Sequence, residues 1–273
     1  MNSSSRLTKR LLQPALPCLA LAMSAPHAFS KPVVLMYHRF ELKRVADTVV
    51  TPSDFDAQLA YLKKNGIEVL PAQDAVSAMR QGKPLPDHSV IITIDDGWKS
   101  ALTAKSKLNA YGYPYTIALY TQMQDIGSTL YLSKADIKEF AQDPSCTIAN
   151  HSYSHSAPVM RGSPQKARED LERAQTDIEQ MTGRRPELFV YPYGIVNRSL
   201  RGVVASLGFT GAFGIEPEKP LVPATDPLNI PRYTVITMAD FNRAMRDVEN
   251  PAAREDTPAD PRTPMTTRRG QAQ

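Results

Sequence analysis

Val90-Ile91-Ile92-Thr93-Ile94 is an unbroken β-branched run, and Asp95-Asp96-Gly97-Trp98 follows it directly. Such a run predicts a strand. Lys99 to Asn109 after it predicts a helix, and Thr116 to Tyr120 the next strand. The same alternation extends outward in both directions. Upstream, Val33 to Tyr37 predicts a buried strand. Thr51, Pro52 and Asp54 supply a capping hydroxyl, a first-turn proline and an acid three residues on. Phe55, Leu59 and Leu62 follow at helical spacing up to the Asn65-Gly66 stop, with a strand over Ile67 to Leu70 and a short helix over Asp74 to Arg80. Downstream, Ser133 and Asp136 form a second capping-box pattern before a helix to Ala141, and Thr147 to Asn150 predicts a strand. Ala167, Leu171, Ala174, Ile178 and Met181 make an apolar helical stripe closed by Gly183. Leu188 to Tyr191, Phe209 to Ile215 and Tyr233 to Thr237 predict further strands, with helices over Ser199 to Leu207 and Asp240 to Glu249. Repeated strand–helix units without hairpin signals predict an α/β fold with a parallel sheet covered on both faces. Their number favours a closed or nearly closed (β/α) barrel over an open sheet, and no glycine-rich phosphate loop follows the first strand.

The chain has 273 residues, 42% of them apolar and 22% charged, which suits one large globular domain. Its formal net charge is +4, without a long basic stripe interleaved with aromatics, so nucleic acid is excluded as a partner. Lys9 and Arg10, the short apolar Leu11–Ala25 segment and the small residues up to Ala28 read as a signal peptide over residues 1–28. Gln13, Pro14 and Pro17 interrupt that run, which is too short for a membrane-crossing helix, so the mature chain is expected to carry no transmembrane helix and to be exported, periplasmic or secreted. The signal takes Cys18 with it and leaves Cys146 as a lone thiol, read as buried and inert. The folded domain is expected over residues 32–249. Residues 250–273, rich in Pro, Thr, Arg and Asp, read as a disordered tail.

Three polar clusters follow predicted strands, the positions that line the mouth of a barrel. Asp95-Asp96 places two carboxylates side by side, which also fits a simple Asp-Asp-Gly turn. His151 and His155 are spaced to put two imidazoles on one face for a divalent ion, or to be solvated in a loop. Tyr191-Pro192-Tyr193-Gly194 is either a turn with packed aromatics or a proline-fixed backbone presenting the Tyr193 N–H to a developing oxyanion. Taken together, one Asp and two His make a facial three-ligand metal site with open positions for water and substrate. The neighbouring carboxylate is then placed to take a proton from that water.

This combination resembles the polysaccharide deacetylases, the NodB-homology domains of carbohydrate esterase family 4. Their Thr-Phe-Asp-Asp-Gly motif corresponds to Thr93-Ile94-Asp95-Asp96-Gly97, and their His-Ser/Thr-x-x-His motif to His151-Ser152-Tyr153-Ser154-His155. Their Arg-x-Pro-Tyr-Gly motif is matched only in Pro192-Tyr193-Gly194. The resemblance implies an irregular (β/α)7 barrel, Asp95 as general base, and Asp96, His151 and His155 as metal ligands. Two departures stand out. Val190 occupies the place of the family's third-motif Arg, and no histidine follows His155 to act as the family's late general acid. Among the remaining histidines, His27 falls in the leader and His88 at the wrong end of the barrel, which leaves His38 at the mouth, as acid or as a hydrogen-bonded rim residue. Met36-Tyr37-His38, Tyr191-Pro192-Tyr193-Gly194 and Ile230-Pro231-Arg232 further resemble the poly-β-1,6-N-acetylglucosamine N-deacetylase branch. On that basis Arg232 stands in for the missing Arg, pairing with Asp95 or substrate; a surface Arg after a turn proline is the alternative. Trp98, Tyr191 and Pro192 are the candidate substrate-binding residues, Trp98 as a wall for a sugar ring or as core packing.

The resulting expectation is a metal-dependent hydrolase that removes N-acetyl groups from N-acetylglucosamine units of a polysaccharide. Zn2+ suits the His2Asp donor set, and Co2+, Ni2+ or Fe2+ suit it as well. Peptidoglycan and chitooligosaccharide are the alternative substrates. A silent sugar-binding protein and a two-carboxylate glycosidase are the rival readings, and the latter leaves the histidine pair unexplained.

Overall fold

Five consecutive registered pairs join the Val90–Ile94 run to Val33–Tyr37, in parallel. In a computed structural model of the chain, residues 31–215 and 218–249 are described. The expected leader over residues 1–28, with Cys18 and His27, and the tail over residues 250–273 lie outside them. The strands are β1 (Val33–Tyr37), β2 (Arg39–Phe40), β3 (Val49–Val50), β4 (Glu68–Val69), β5 (Ser89–Ile94), β6 (Tyr115–Leu119), β7 (Cys146–Asn150), β8 (Leu188–Val190), β9 (Gly211–Phe213) and β10 (Tyr233–Thr234). The helices are α1 (Pro52–Lys64), α2 (Ala72–Arg80), α3 (Ala101–Tyr111), α4 (Gln122–Asp125), α5 (Lys134–Gln142), α6 (Ala157–Arg161), α7 (Pro164–Thr182), α8 (Arg198–Ser206) and α9 (Met238–Glu249). None of the described helices is long and apolar enough to cross a membrane.

The main sheet is parallel and runs β10-β1-β5-β6-β7-β8-β9, with β4 added beside β5. It curls until its ends meet. Phe213 bridges Ile230, the Ile230 N–H donates to the Ala212 carbonyl over 2.8 Å, and the Gly214 N–H donates to the Ile230 carbonyl over 2.8 Å. The segment then continues into β10, which pairs with β1. The result is the expected single-domain (β/α)7 barrel.

Alternation along the strands divides the core. Val34, Ile91, Ala118, Ala149, Val190 and Phe213 form one apolar cluster, the inner face. Val33, Leu35, Val90, Ile92, Ile94, Ile117 and Leu119 form another, with Phe55 and Leu59 of α1, Leu108 of α3 and Phe241 of α9. Thr93 and Asp95 share the parity of Ile91, so they point into the barrel at its mouth.

Local chemistry builds the covering helices. The Thr51 hydroxyl accepts from the Asp54 N–H over 3.1 Å, ahead of Pro52. Both arms of the Ser133–Asp136 capping box are made. α7 buries Ala167, Leu171, Ala174 and Ile178 and ends where Gly183 takes φ +75°, a left-handed value that suits glycine. Several strands are shorter than the apolar runs suggested: β9 covers only Gly211–Phe213 and β10 only Tyr233–Thr234. Beyond these bounds Phe209 and Val235 are still buried, and the Val235 N–H still donates to the Met36 carbonyl over 3.0 Å. The small β2–β3 sheet and the short helices α4 and α6, all in loops, lack enough periodic residues to be foreseen.

Candidate active site

Strand register sets the site. Tyr37 pairs with Ile94, and Leu119 with Asn150, so the residues after β1, β5 and β7 emerge along one rim. Those residues are His38, Asp95 with Asp96, and His151.

Asp95 continues the inner face of β5 and is only 2% exposed. Its backbone N–H donates to the Tyr37 carbonyl over 2.8 Å. Arg232, wholly buried, comes from the segment that closes the barrel and forks onto the carboxylate: Nη1 donates to Oδ1 and Nη2 to Oδ2, each over 2.8 Å. Arg232 Nη1 also donates to the Thr93 hydroxyl (3.0 Å) and Nε to the Gly214 carbonyl (2.7 Å). Burial on its own would raise the Asp95 pKa. The Arg232 guanidinium, helped by His151 and His38, outweighs it and holds the carboxyl below the ordinary carboxylate value. His38 Nε2 lies 4.0 Å from Asp95 Oδ2.

Asp96 has φ +73°, an unfavourable value for a residue with a side chain, and the turn sends its carboxylate towards the β7 loop. Its Oδ1 lies 3.3 Å from His151 Nε2 and 3.4 Å from His155 Nε2, and the two Nε2 atoms are 3.2 Å apart. His151 Nδ1 lies 2.8 Å from the Val190 carbonyl, which can only accept. Nδ1 therefore carries a proton, and in the neutral ring the Nε2 lone pair faces Asp96. Ser152 (φ +69°) and His155 (φ +48°) are also left-handed, and the loop is pinned from several sides. Asn150 Oδ1 accepts from the Ser152 N–H over 2.7 Å, and the Ser152 hydroxyl accepts from the His155 N–H over 2.9 Å. Asp170 of α7 accepts from the Tyr153 and Ser154 N–H groups at 2.9 and 3.1 Å.

The titratable groups of the cluster shift in different directions. Burial disfavours the Asp96 carboxylate, but His151, His38 and His155 together lower its pKa well below the usual range. Burial would lower the His151 pKa, and the Asp96 and Asp95 carboxylates raise it instead. Burial and the neighbouring His151 push His155 down to about 4. Two nitrogens and one carboxylate oxygen, mutually within 4.8 Å, fit a small divalent ion. It is the single group of this kind found among the described residues.

The remaining expected residues separate. Tyr193 has φ +57°, is 59% exposed, and sets its ring 4.5 Å from that of His155. Tyr191 and Pro192 correct the substrate-binding expectation: both are buried, and the Tyr191 ring packs edge-on to Phe189 while its hydroxyl donates to the Leu228 carbonyl over 2.9 Å. Tyr191 has the parity of Phe189, opposite to that of Val190, and its ring packs in the cluster with Leu171 of α7 and Leu200 of α8 rather than at the mouth. Trp98 is half-buried, and its Nε1–H donates to Asp96 Oδ2 over 2.9 Å. Sequence reasoning missed Asp170, which sits on the polar side of an amphipathic helix and gives no local signal. It also missed Tyr120 and Tyr131, whose rings border His155 and Trp98 at 5.3 and 4.2 Å. Cys146 is half-buried, and burial pushes its thiol up to about 12.

Residues 82–212 match the profile of a family described as polysaccharide deacetylase. A Bacillus subtilis protein, provisionally named polysaccharide deacetylase YxkH, is 25% identical over 186 residues, covering 67% of this chain and 64% of the relative, so the match spans less than two thirds of that protein. The poly-β-1,6-N-acetyl-D-glucosamine N-deacetylase of Staphylococcus aureus is 21% identical over 204 residues, 71% of this chain and 70% of its own. Among solved structures, Streptococcus pyogenes deacetylase PplD in complex with acetate aligns with a TM-score of 0.73 at 20% identity, covering 81% of this chain and 99% of that one. IcaB from Ammonifex degensii aligns with a TM-score of 0.71 at 22% identity, covering 80% and 97%. At these identities the structures share the fold.

Proposed function

We propose that this chain, whose residues 82–212 match the polysaccharide deacetylase family, is a hydrolase that removes acetyl groups from N-acetylglucosamine units of poly-β-1,6-N-acetylglucosamine. The observation that carries the reading is the pair of carboxylates with divided partners: Asp95 forked by Arg232, and Asp96 facing His151 and His155. The branch-like segments ending in His38 and Arg232, and the similarity to the Staphylococcus aureus enzyme, support the β-1,6-linked polymer.

Asp96, His151 and His155 would hold a divalent cation, Zn2+ by donor type with Co2+, Ni2+ or Fe2+ as alternatives, and that ion would supply Lewis-acid polarisation and a more acidic water. Asp95 takes the proton from the attacking water. Its low pKa keeps it ionised at neutral pH, and the Arg232 fork fixes its direction. The Tyr193 N–H donates to the acetyl oxygen as negative charge grows there. His38 protonates the departing amine. Water and amide become acetate and glucosamine, and the product amine is cationic near neutrality, which changes how the polymer adheres. The reaction is placed outside the cytoplasm, in the periplasm or secreted, where such polymers lie.

The test is acetate release from defined β-1,6 and β-1,4 N-acetylglucosamine oligomers by the wild type and Asp95→Asn. Loss of a general base is expected to lower turnover by about 10²–10⁴-fold while cation binding persists. Faster release from the β-1,4 series would redirect the substrate to chitooligosaccharide or peptidoglycan. Wild-type turnover by Asp95→Asn would remove Asp95 from the mechanism.

A further inference from the structure

Trp98 is the only tryptophan in the chain. Its indole N–H donates to Oδ2 of Asp96 over 2.9 Å. Oδ1 of the same carboxylate faces both histidine nitrogens, at 3.3 and 3.4 Å. The two oxygens of one carboxylate thus have separate tasks. We infer that Trp98 is a positioning residue that holds Asp96 so that a single oxygen is presented to a divalent cation. The inference rests on the proposed cation site.

The surroundings are built to hold the indole. Its ring stacks on Tyr131, centroids 4.2 Å apart at an interplanar angle of 25°. The backbone around it is tied to the 130–132 segment: the Lys99 N–H donates to the Leu130 carbonyl (2.8 Å) and the Leu132 N–H to the Gly97 carbonyl (2.9 Å). The Arg39 guanidinium lies 4.5 Å from the ring centroid, within cation–π range. Asp96 and Gly97 are consecutive left-handed residues, each at φ +73°, and a Cβ at Gly97 would meet Leu119 Cδ2 at 2.8 Å. That turn aims Asp96 away from the parity of β5. The indole then fixes the rotation of its carboxyl group, which the turn alone leaves free.

The consequence is chemical. A carboxylate with one oxygen occupied by a strong donor binds a cation through the other, leaving more of the coordination sphere for water and the acetyl oxygen. Without the donor, Oδ2 can swing onto the ion as a second ligand. Partners of this kind around metal ligands typically change affinity by about 10–100-fold.

Because the chain has one tryptophan, growth of a tryptophan auxotroph on β-(benzo[b]thienyl)alanine replaces this N–H by sulfur and nothing else. Zn2+ and Co2+ binding is measured by calorimetry on wild type, the analogue protein and Trp98→Phe. The visible Co2+ spectrum and the cation-free thermal midpoint are measured alongside. Expected are about 10–100-fold weaker binding in both altered proteins and a weaker Co2+ absorption as coordination number rises, with the cation-free midpoint of the analogue protein kept. Wild-type affinity and spectrum in the analogue protein would overturn the positioning role while leaving the cation site standing. Failure of the wild type to bind either ion would overturn both.

Discussion

Replacing Arg232 by Met removes a buried guanidinium while keeping an unbranched stem in its slot. Four hydrogen bonds go with it: two to Asp95, one to Thr93 and one to the Gly214 carbonyl. The larger effect is on what stays behind. Asp95, 2% exposed, keeps its burial and loses its counterion, with His38 4.0 Å away as the nearest ion-pairing group. Breaking a buried pair from one side costs about 3–5 kcal/mol. At about 1.4 kcal/mol per factor of ten, the folding equilibrium falls between about a hundredfold and a few thousandfold. The pH dependence has a definite sign. In the wild type the Asp95 pKa is below 3.8, so its contribution is complete above that value and is lost as pH falls through the lower, folded pKa. In Arg232→Met burial is no longer outweighed, the folded pKa lies above the unfolded one, and stability declines as pH rises through it. The gap between the two proteins therefore narrows from pH 7 to pH 4. Urea unfolding at both pH values, with chelator present so that no cation contributes, measures the gap. Asp95→Asn with Arg232→Met completes the cycle and should recover part of the loss, since no buried charge remains. A variant within about 1 kcal/mol of wild type at pH 7, where breaking such a pair should cost several times that, or a gap that widens on acidification, would refute the account.

Asp170→Ala frees the Tyr153 and Ser154 N–H groups and slackens the strained Ser152–His155 loop. Calorimetry should show cation affinity lower by about tenfold or more, and a fall in thermal midpoint with affinity intact would limit Asp170 to a structural part. With its pKa near 12, Cys146 should remain unalkylated by iodoacetamide at pH 8 until the protein is unfolded. Peptide mapping that finds it labelled in the native state contradicts that.

The fold was legible where local chemistry and burial point the same way. The Val90–Ile94 run, the Thr51 and Ser133 caps and the α7 stripe each placed an element, the stripe missing only the first turn of its helix. Legibility faded at the strand ends, where the apolar run continues past the regular pairing. Phe209 and Ile215 flank β9, and Val235 follows β10, yet none belongs to a strand. The β2–β3 pairing was invisible because two residues on each side carry no period.

The site divides by the same logic. Asp95, Asp96, His151 and His155 announced themselves because scarce titratable residues stood directly after strands, and parallel register brings all such positions to one rim. Asp170 and the indole N–H of Trp98 gave no such sign, since their roles come from a helix and a ring arriving from elsewhere. Tyr191 misled because a motif position was read as a facing direction. Arg232 shows why a departure at one strand need not damage the site. Val190 packs inside the barrel, and its carbonyl holds His151 Nδ1. The guanidinium beside Asp95 opposes burial, which on its own would raise the pKa of that carboxyl. In a closed barrel every strand ends around the same small interior, so the segment before β10 delivers from one side what β8 does not supply from the other. What the chemistry fixes is a cation at the Asp95 carboxylate, while the strand that carries it is free to differ.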